Sequence, residues 1–319
     1  PATSPQKVST VPRLANPFDD LSRRSPDPQA VGTETDAGLM RQVVDYYHER
    51  LLKTPAALDY LRRRGLLNEE VLEKFRLGFA DRTLGLRLPD KNRKEGEAIR
   101  TRLQKLGILR ESGHEHFNGS VVLPIFSGER VAEMYGRKIN DNLRSGTPKH
   151  LYLPGPHEGI WNGEALNSGE LILCEAALDA LTFWVNGFRN VTFIYGTNGF
   201  ADELFHAIKC RVKRVRLAYD ADDAGNKAAA RDAERLTAHG VDVFRVKFPW
   251  GMDANEYAQK VQPAAKSLET ALDAAEWVGS GKPETGNLRP ETHAHAGASS
   301  SLAADLAANK EAATLAASP

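Results

Sequence analysis

Three short apolar runs in this chain each lead into carboxylates, and that repetition is where its chemistry lies. Val215-Arg216-Leu217-Ala218-Tyr219 runs into Asp220-Ala221-Asp222-Asp223-Ala224-Gly225. Leu171-Ile172-Leu173-Cys174 runs into Glu175, with Asp179 four residues on, and the apolar stretch 241–248 is followed by Asp253-Ala254-Asn255-Glu256. Successive side chains of an extended backbone alternate in direction, so Asp220 and Asp222 point to one side and offer two hard oxygen donors to one Mg²⁺. Glu175 and Asp179 share a face if a helix starts at Glu175. For the first run alone, an Asp-rich turn capping the helix that opens near Gly225 explains the residues equally well. Three acid-tipped strand ends at the carboxyl edge of one sheet, where open α/β sheets bind their ligands, describe a single metal site instead.

Positioning those acids requires strands and helices in alternation. From Gly169 onward the pattern predicts strands over 171–174, 191–195, 214–219 and 241–248, with helices over 178–185, 202–208 and 225–239 between them. That is the βαβ rhythm of a parallel sheet, finished by helices over 255–261 and 264–277. Upstream, Leu39, Val43, Tyr47 and Leu51 recur near helical spacing, Thr54-Pro55 reads as an N-cap with Pro at the first helical position, and Asn68-Glu69-Glu70 opens a further helix. Residues 95–106 form an amphipathic helix with Ile99, Leu103 and Leu106 on one stripe. The runs 121–126 and 131–137, joined by Ser127-Gly128-Glu129-Arg130, read as a hairpin. The expected class is α/β, a parallel sheet flanked by helices and preceded by a mixed α+β subdomain.

The expected divisions are a flexible leader over 1–36, rich in Pro, Ser and Thr, a subdomain over 37–167, the acidic domain over 168–262, a closing helix over 263–280 and a low-complexity tail over 281–319. Lys282 after Gly279-Ser280-Gly281 is not a phosphate-binding loop, because Pro283 stands where Ser or Thr is needed. With 41% hydrophobic and 26% charged residues among 319, the composition is that of an ordinary globular protein. No apolar run is long enough for a membrane span and no signal-peptide core is present, so a cytoplasmic protein without a membrane partner is expected. Cys174 and Cys210 are the only cysteines, too few for a four-ligand zinc site of the Cys-x-x-Cys kind. The net charge is zero but unevenly spread: residues 37–163 carry 22 Lys and Arg against 16 Asp and Glu, a surplus of +6, whereas 168–280 carry 13 against 16, a deficit of −3. A basic lobe beside an acidic one suits an enzyme that grips a phosphate backbone and recruits a cation.

In its acids the chain resembles the Toprim domain shared by bacterial DnaG-type primases, phage primase-helicases and topoisomerases. Glu175 matches that family's Glu, Asp179 the acid four residues on, Asp220 and Asp222 its Asp-x-Asp pair, Asp253 its last acid, and Gly196-Thr197 its Gly-Thr turn. Asn255 departs from the DnaG pattern, which has Asp there, and Asp-Ala-Asn-Glu looks more like the phage version. The upstream string Asp45-Tyr46-Tyr47-His48, Arg64-Gly65-Leu66, Phe75-Arg76-Leu77-Gly78-Phe79, Val122-Leu123-Pro124-Ile125, Tyr135-Gly136-Arg137 and Pro148-Lys149-His150-Leu151-Tyr152 resembles the rest of the DnaG catalytic core, for a coverage of roughly 39–277. Its order separates primases from Toprim nucleases and topoisomerases.

The resemblance implies a Toprim-type sheet, a DNA-directed RNA polymerase of the primase type, and Mg²⁺ or Mn²⁺ held by Glu175, Asp179, Asp220, Asp222 and Asp253, with Glu175, Asp220 and Asp222 catalytic. It implies single-stranded DNA template and NTPs as substrates, a replicative helicase as partner, and Arg137 and Lys149 on a template-binding ridge. His150 lies near that ridge, while Ser120 and Asn162 stand where the family carries basic residues. Relatives of this type carry a zinc-binding domain ahead of the core. A chain that starts at Pro1 is either cut from such a protein or a zinc-free relative. The thinned ridge and Asn255 leave a second reading open, a primase-like Toprim protein of a plasmid, phage or mobile element that binds nucleic acid with little or no primer synthesis.

Overall fold

The computed structural model describes residues 33–279; most of the expected leader and all of the expected tail lie outside them. Helix α1 (Thr33–Leu52) reaches four residues into the segment expected to be a leader, and Asp36 forms an ion pair there with Arg102. Helices α2 (Pro55–Arg63) and α3 (Glu69–Lys74) follow. Asn68 caps α3 by accepting from the Val71 N–H at 3.1 Å. Thr54 does not cap α2 with its side chain as expected: its hydroxyl donates to the Arg50 carbonyl at 2.6 Å, closing the last turn of α1 instead.

The first sheet is antiparallel, in the order β1 (Gly78–Ala80), β2 (Ser120–Ser127), β3 (Arg130–Lys138), β4 (His150–Tyr152), with α4 (Lys94–Lys105) between β1 and β2 in sequence. The expected hairpin is β2–β3, and the pairing of β4 sets His150 opposite Arg137. Gly136 is required within β3 because a side chain there would meet the Phe117 ring at 2.5 Å.

The second sheet has the order β6 (Val191–Phe193), β5 (Glu170–Cys174), β7 (Arg214–Ala218), β8 (Asp242–Arg245), β9 (Glu276–Gly279). The first four strands are parallel, joined through α5 (Ala177–Val185), α6 (Asp202–Arg211) and α7 (Asp223–Thr237). The chain leaves β5 for β6 on one side and then crosses to β7 on the other, so connection direction reverses between β5 and β7, the place where such sheets open a binding crevice. Helices α8 (Ala254–Lys260) and α9 (Ala264–Asp273) close the fold. The expected helix over 264–277 stops at Asp273, because Glu276–Gly279 pairs antiparallel with β8, with Trp277 opposite Phe244. Pairing the free edge of β8 outweighs the local helical pattern.

The two sheets share a core. Phe75 of the first region stacks on Trp161 at 4.4 Å between centroids and meets Trp184 of α5 edge-on at 5.0 Å, and Tyr60, Leu61 and Leu66 belong to the same buried cluster as α5. The helices before β1 thus hold the first sheet in fixed relation to the acidic edge of the second.

Candidate metal and phosphate site

Each acid is delivered by a strand end. Glu175 follows β5, Asp220 and Asp222 follow β7, and Asp253 follows the segment leaving β8, so β5, β7 and β8, adjacent in the sheet, present them at one edge. Asp179 comes from the first turn of α5 and is 3% exposed. The Gly196 N–H donates to the Glu175 carbonyl at 3.2 Å, which places the Gly196-Thr197 turn against the same edge. Gly225 is fixed by close approach: a methyl group there would lie 2.4 Å from the Asp220 carbonyl oxygen and 3.1 Å from Glu175 Oε2.

Burial and crowding of like charge favour the protonated forms of Glu175, Asp179 and Asp220. Burial, then the charges of Glu175, Asp253 and Asp222, push the Asp220 carboxyl up to about 7. Burial and Asp222 raise Glu175, and burial with Asp253 and Asp220 raises the enclosed Asp179 well above the ordinary carboxylate range. Asp222 and Asp253 cap α7 and α8, accepting from the Gly225 N–H at 2.7 Å and the Glu256 N–H at 2.6 Å. The capping geometry and the clustering coexist, since a carboxylate has a second oxygen. Asp179 Oδ1 accepts from the Asn255 N–H at 3.1 Å. Among the described residues no three acid, His or Cys side chains form a ready coordination cage. Glu175 Oε2 is buried and has no hydrogen-bond partner. Hard oxygen donors, surplus negative charge and an orphaned carboxylate oxygen together fit a divalent cation.

Two residues, Arg245 and Asn255, support the site in ways that have no local signature in the sequence. Arg245, 9% exposed, lies behind the acids and donates to the carbonyls of Leu217, Tyr219 and Val246 at 3.1, 2.9 and 2.9 Å, and to the Asp220 carbonyl at 3.0 Å. It also reaches Asn226 Oδ1 at 3.1 Å. Asn255, 1% exposed, accepts from Arg64 Nη1 at 3.0 Å and donates to the Arg64 carbonyl at 2.9 Å and to Thr182 Oγ1 at 2.8 Å. The departure from Asp is thereby explained structurally. A carboxylate could not donate to those two oxygens, and the amide ties the end of α2 to α5 rather than facing a cation.

The basic residues lie on the first sheet. Arg137 is 8% exposed: Nε donates to Tyr60 Oη at 3.3 Å and Nη1 to His150 Nε2 at 2.6 Å. Partial burial and the charges of Arg137, Lys149 and Arg64 push the His150 imidazole down to about 4. A neutral ring accepting at Nε2 carries its proton on Nδ1, which donates to Tyr135 Oη at 3.0 Å. Lys149 is exposed, 3.9 Å from Asp141. The two ridge residues therefore differ, Arg137 being set into a polar network and Lys149 free to meet solvent. Ser120 is fully buried and Asn162, in a left-handed conformation, donates to the Arg189 and Val191 carbonyls, so neither offers a charge to a ligand. A cavity of about 560 Å³ lined by Arg82, Arg110, Lys138 and Arg144 adds further positive surface to this lobe, and none of the four is ion-paired among the described residues.

Comparison with known proteins matches residues 46–161 to the N-terminal domain of the DNA primase catalytic core and residues 172–258 to a Toprim-like domain. The DNA primase of Aquifex aeolicus is 30% identical over 233 residues, covering 69% of this chain and 45% of that protein. The chain thus spans under half the length of that curated relative. The crystal structure of the zinc-binding and RNA polymerase domains of the Aquifex aeolicus primase superposes with a TM-score of 0.65 at 26% identity, covering 81% of this chain and 66% of that one. A DnaG primase catalytic domain bound to single-stranded DNA shares the fold at a TM-score of 0.63 and 22% identity, over 76% of this chain and 82% of that one. Two adjoining family matches in the order found in primases, on a fold that superposes with primase cores, show that this chain carries the catalytic core of the DnaG-type primase family.

Proposed function

We propose that this chain joins ribonucleotides on a single-stranded DNA template to make short RNA primers. The observation that carries the reading is the convergence of Glu175, Asp220, Asp222 and Asp253 from three adjacent strand ends, on a chain whose other sheet carries Arg137, with Lys149 just before its last strand. In the reaction the 3′-oxygen of the growing strand bonds to the α-phosphorus of an NTP, the bond to the β-phosphate oxygen breaks, and pyrophosphate leaves. A bound Mg²⁺ or Mn²⁺ would supply charge neutralisation for the phosphates and acidify the attacking hydroxyl. Asp220, Asp222 and Asp253 would hold it, with Asp179 behind them. Glu175, whose Oε2 is unpartnered and whose carboxyl is raised, would accept the proton from the attacking hydroxyl. Lys149, with Arg137 in its network, would hold template phosphates, which position a strand without reading its sequence.

The relative bound to single-stranded DNA supports the template assignment. The family resemblance supports a replicative helicase as partner and the cytoplasm as the compartment, and no helix among the described residues is long and apolar enough to cross a membrane. Labelled NTPs, mixed single-stranded templates and either cation, with and without an annealed primer, test the reading. Incorporation on primed or unprimed template supports it. No incorporation in either arm, by folded protein, rejects it.

A further inference from the structure

Between β8 and the last acid the chain makes a tight turn, Pro249 to Met252. The Met252 N–H donates to the Pro249 carbonyl at 3.1 Å, and Gly251 at the third position has φ of +77°, the signature of a type II turn that needs glycine there. Two further hydrogen bonds fasten it. The Gly251 N–H donates to the Ala221 carbonyl at 2.8 Å and the Ala221 N–H to the Met252 carbonyl at 3.1 Å. Ala221 is the residue between Asp220 and Asp222, so the turn is bolted to the acidic loop itself.

This turn presents Trp250, 71% exposed, whereas Trp161 and Trp184 are 3% and 2% exposed. The Trp250 indole has no ring or cation partner among the described residues. A large aromatic on a rigid turn, left in water, gains nothing for folding. Two residues separate it from Asp253, so their Cα atoms are at most about 11 Å apart, which a nucleotide covers from phosphate to base. With the turn fastened beside Ala221 and Asp253 three positions on, the ligand that suits the indole is a neutral planar group tethered to phosphates held at those acids.

We infer that Trp250 is a stacking platform for the base of the nucleotide whose phosphates lie at the acidic cluster. The inference rests on the functional reading above and adds to it the group that receives the base. Stacking on an indole is tolerant of sequence, because every base has a π-face, and favours purines, which cover more of the ring. Trp250 acts as a positioning residue for the base and takes no part in proton transfer.

The test uses the full chain carrying Trp277→Phe, which leaves Trp250 as the exposed indole among the described residues. With Mg²⁺ present, indole fluorescence is followed while ATP, CTP or tripolyphosphate is added, and ATP binding is measured separately by equilibrium dialysis. The expected result is quenching by ATP, weaker quenching by CTP and none by tripolyphosphate, all lost in Trp250→Ala. In primer extension Trp250→Ala should raise the KM for ATP roughly tenfold with a small change in kcat, and Trp250→Phe should recover most of it. ATP binding by dialysis with unchanged Trp250 fluorescence, or equal quenching by ATP and tripolyphosphate, overturns this inference and leaves the functional reading standing. Absence of ATP binding altogether overturns both.

Discussion

The guanidinium of Arg245 donates to the main-chain carbonyl of Asp220 at 3.0 Å, so a buried cation is built into the floor beneath a cluster of carboxylates. Its other donors close the carbonyls of Leu217, Tyr219 and Val246, which places it where the β7 ladder ends and the acidic loop begins. Among the described residues it forms no direct ion pair with any acid.

Replacing Arg245 by Met should therefore destabilise the protein by about 3–5 kcal/mol, because a buried, multiply bonded charge is removed and its acceptors are left unsatisfied. Denaturant unfolding measures this. A loss under about 1 kcal/mol would mean that solvent replaces the guanidinium freely.

The acids repel one another when no cation is bound, so neutralising one of them should help the metal-free fold. Asp220→Asn is expected to raise the metal-free melting temperature and to diminish the increase that Mg²⁺ produces in the wild type. Asp220→Ala combined with Asp222→Ala should diminish it further. Thermal scans with Mg²⁺ and with chelator decide the matter, and equal shifts in wild type and double variant would reject a shared cation site.

Asn255→Asp restores the residue expected from DnaG-type primases but deletes the donor to the Arg64 carbonyl and Thr182 Oγ1 and adds a charge beside Asp179. A loss of roughly 1–3 kcal/mol is expected, read by denaturant unfolding. Unchanged stability would show that the α2–α5 tie does not depend on the amide.

What was legible in the sequence is what is written locally. Glu175, Asp220, Asp222 and Asp253 stand at strand ends whose apolar runs and helical sequels are contiguous, so the β5–β7–β8 edge followed from periodicity and a preference for ligands at that edge. Arg245 and Asn255 were not legible as supports, because their partners are backbone carbonyls or residues of another region and leave no spacing pattern. Arg137 reads as a surface cation until β4 is paired, when His150 and Tyr60 enclose it. Thr54 is the N-cap residue of α2 with Pro55 following, as the sequence predicts, and only the partner of its hydroxyl, the Arg50 carbonyl, has no local signature; the strand β9 is equally illegible, because edge pairing is a tertiary choice.

That difference between the two ridge residues separates their variants. Lys149→Ala should leave stability unchanged, weaken single-stranded DNA binding for all sequences, and reduce the slope of log affinity against log salt by about 0.7. Arg137→Ala should show the same binding loss together with lower stability, since it removes the partner of His150 and Tyr60. Binding isotherms across a salt series check both, and an unaltered slope in Lys149→Ala would place the template elsewhere.

Metal-dependent nucleotidyl transfer by the clustered acids should depend on Glu175, and Glu175→Gln shows whether it does. The exchange keeps the side-chain shape and removes the group placed to accept the proton. With labelled ATP, an annealed primer on single-stranded template and titrated Mg²⁺, the wild type should incorporate nucleotide in a metal-dependent manner. Glu175→Gln, folded and at least as stable, should lose about 100-fold or more of the rate. Incorporation by the variant at the wild-type rate, with the same metal dependence, would remove Glu175 and the acidic cluster from the chemistry.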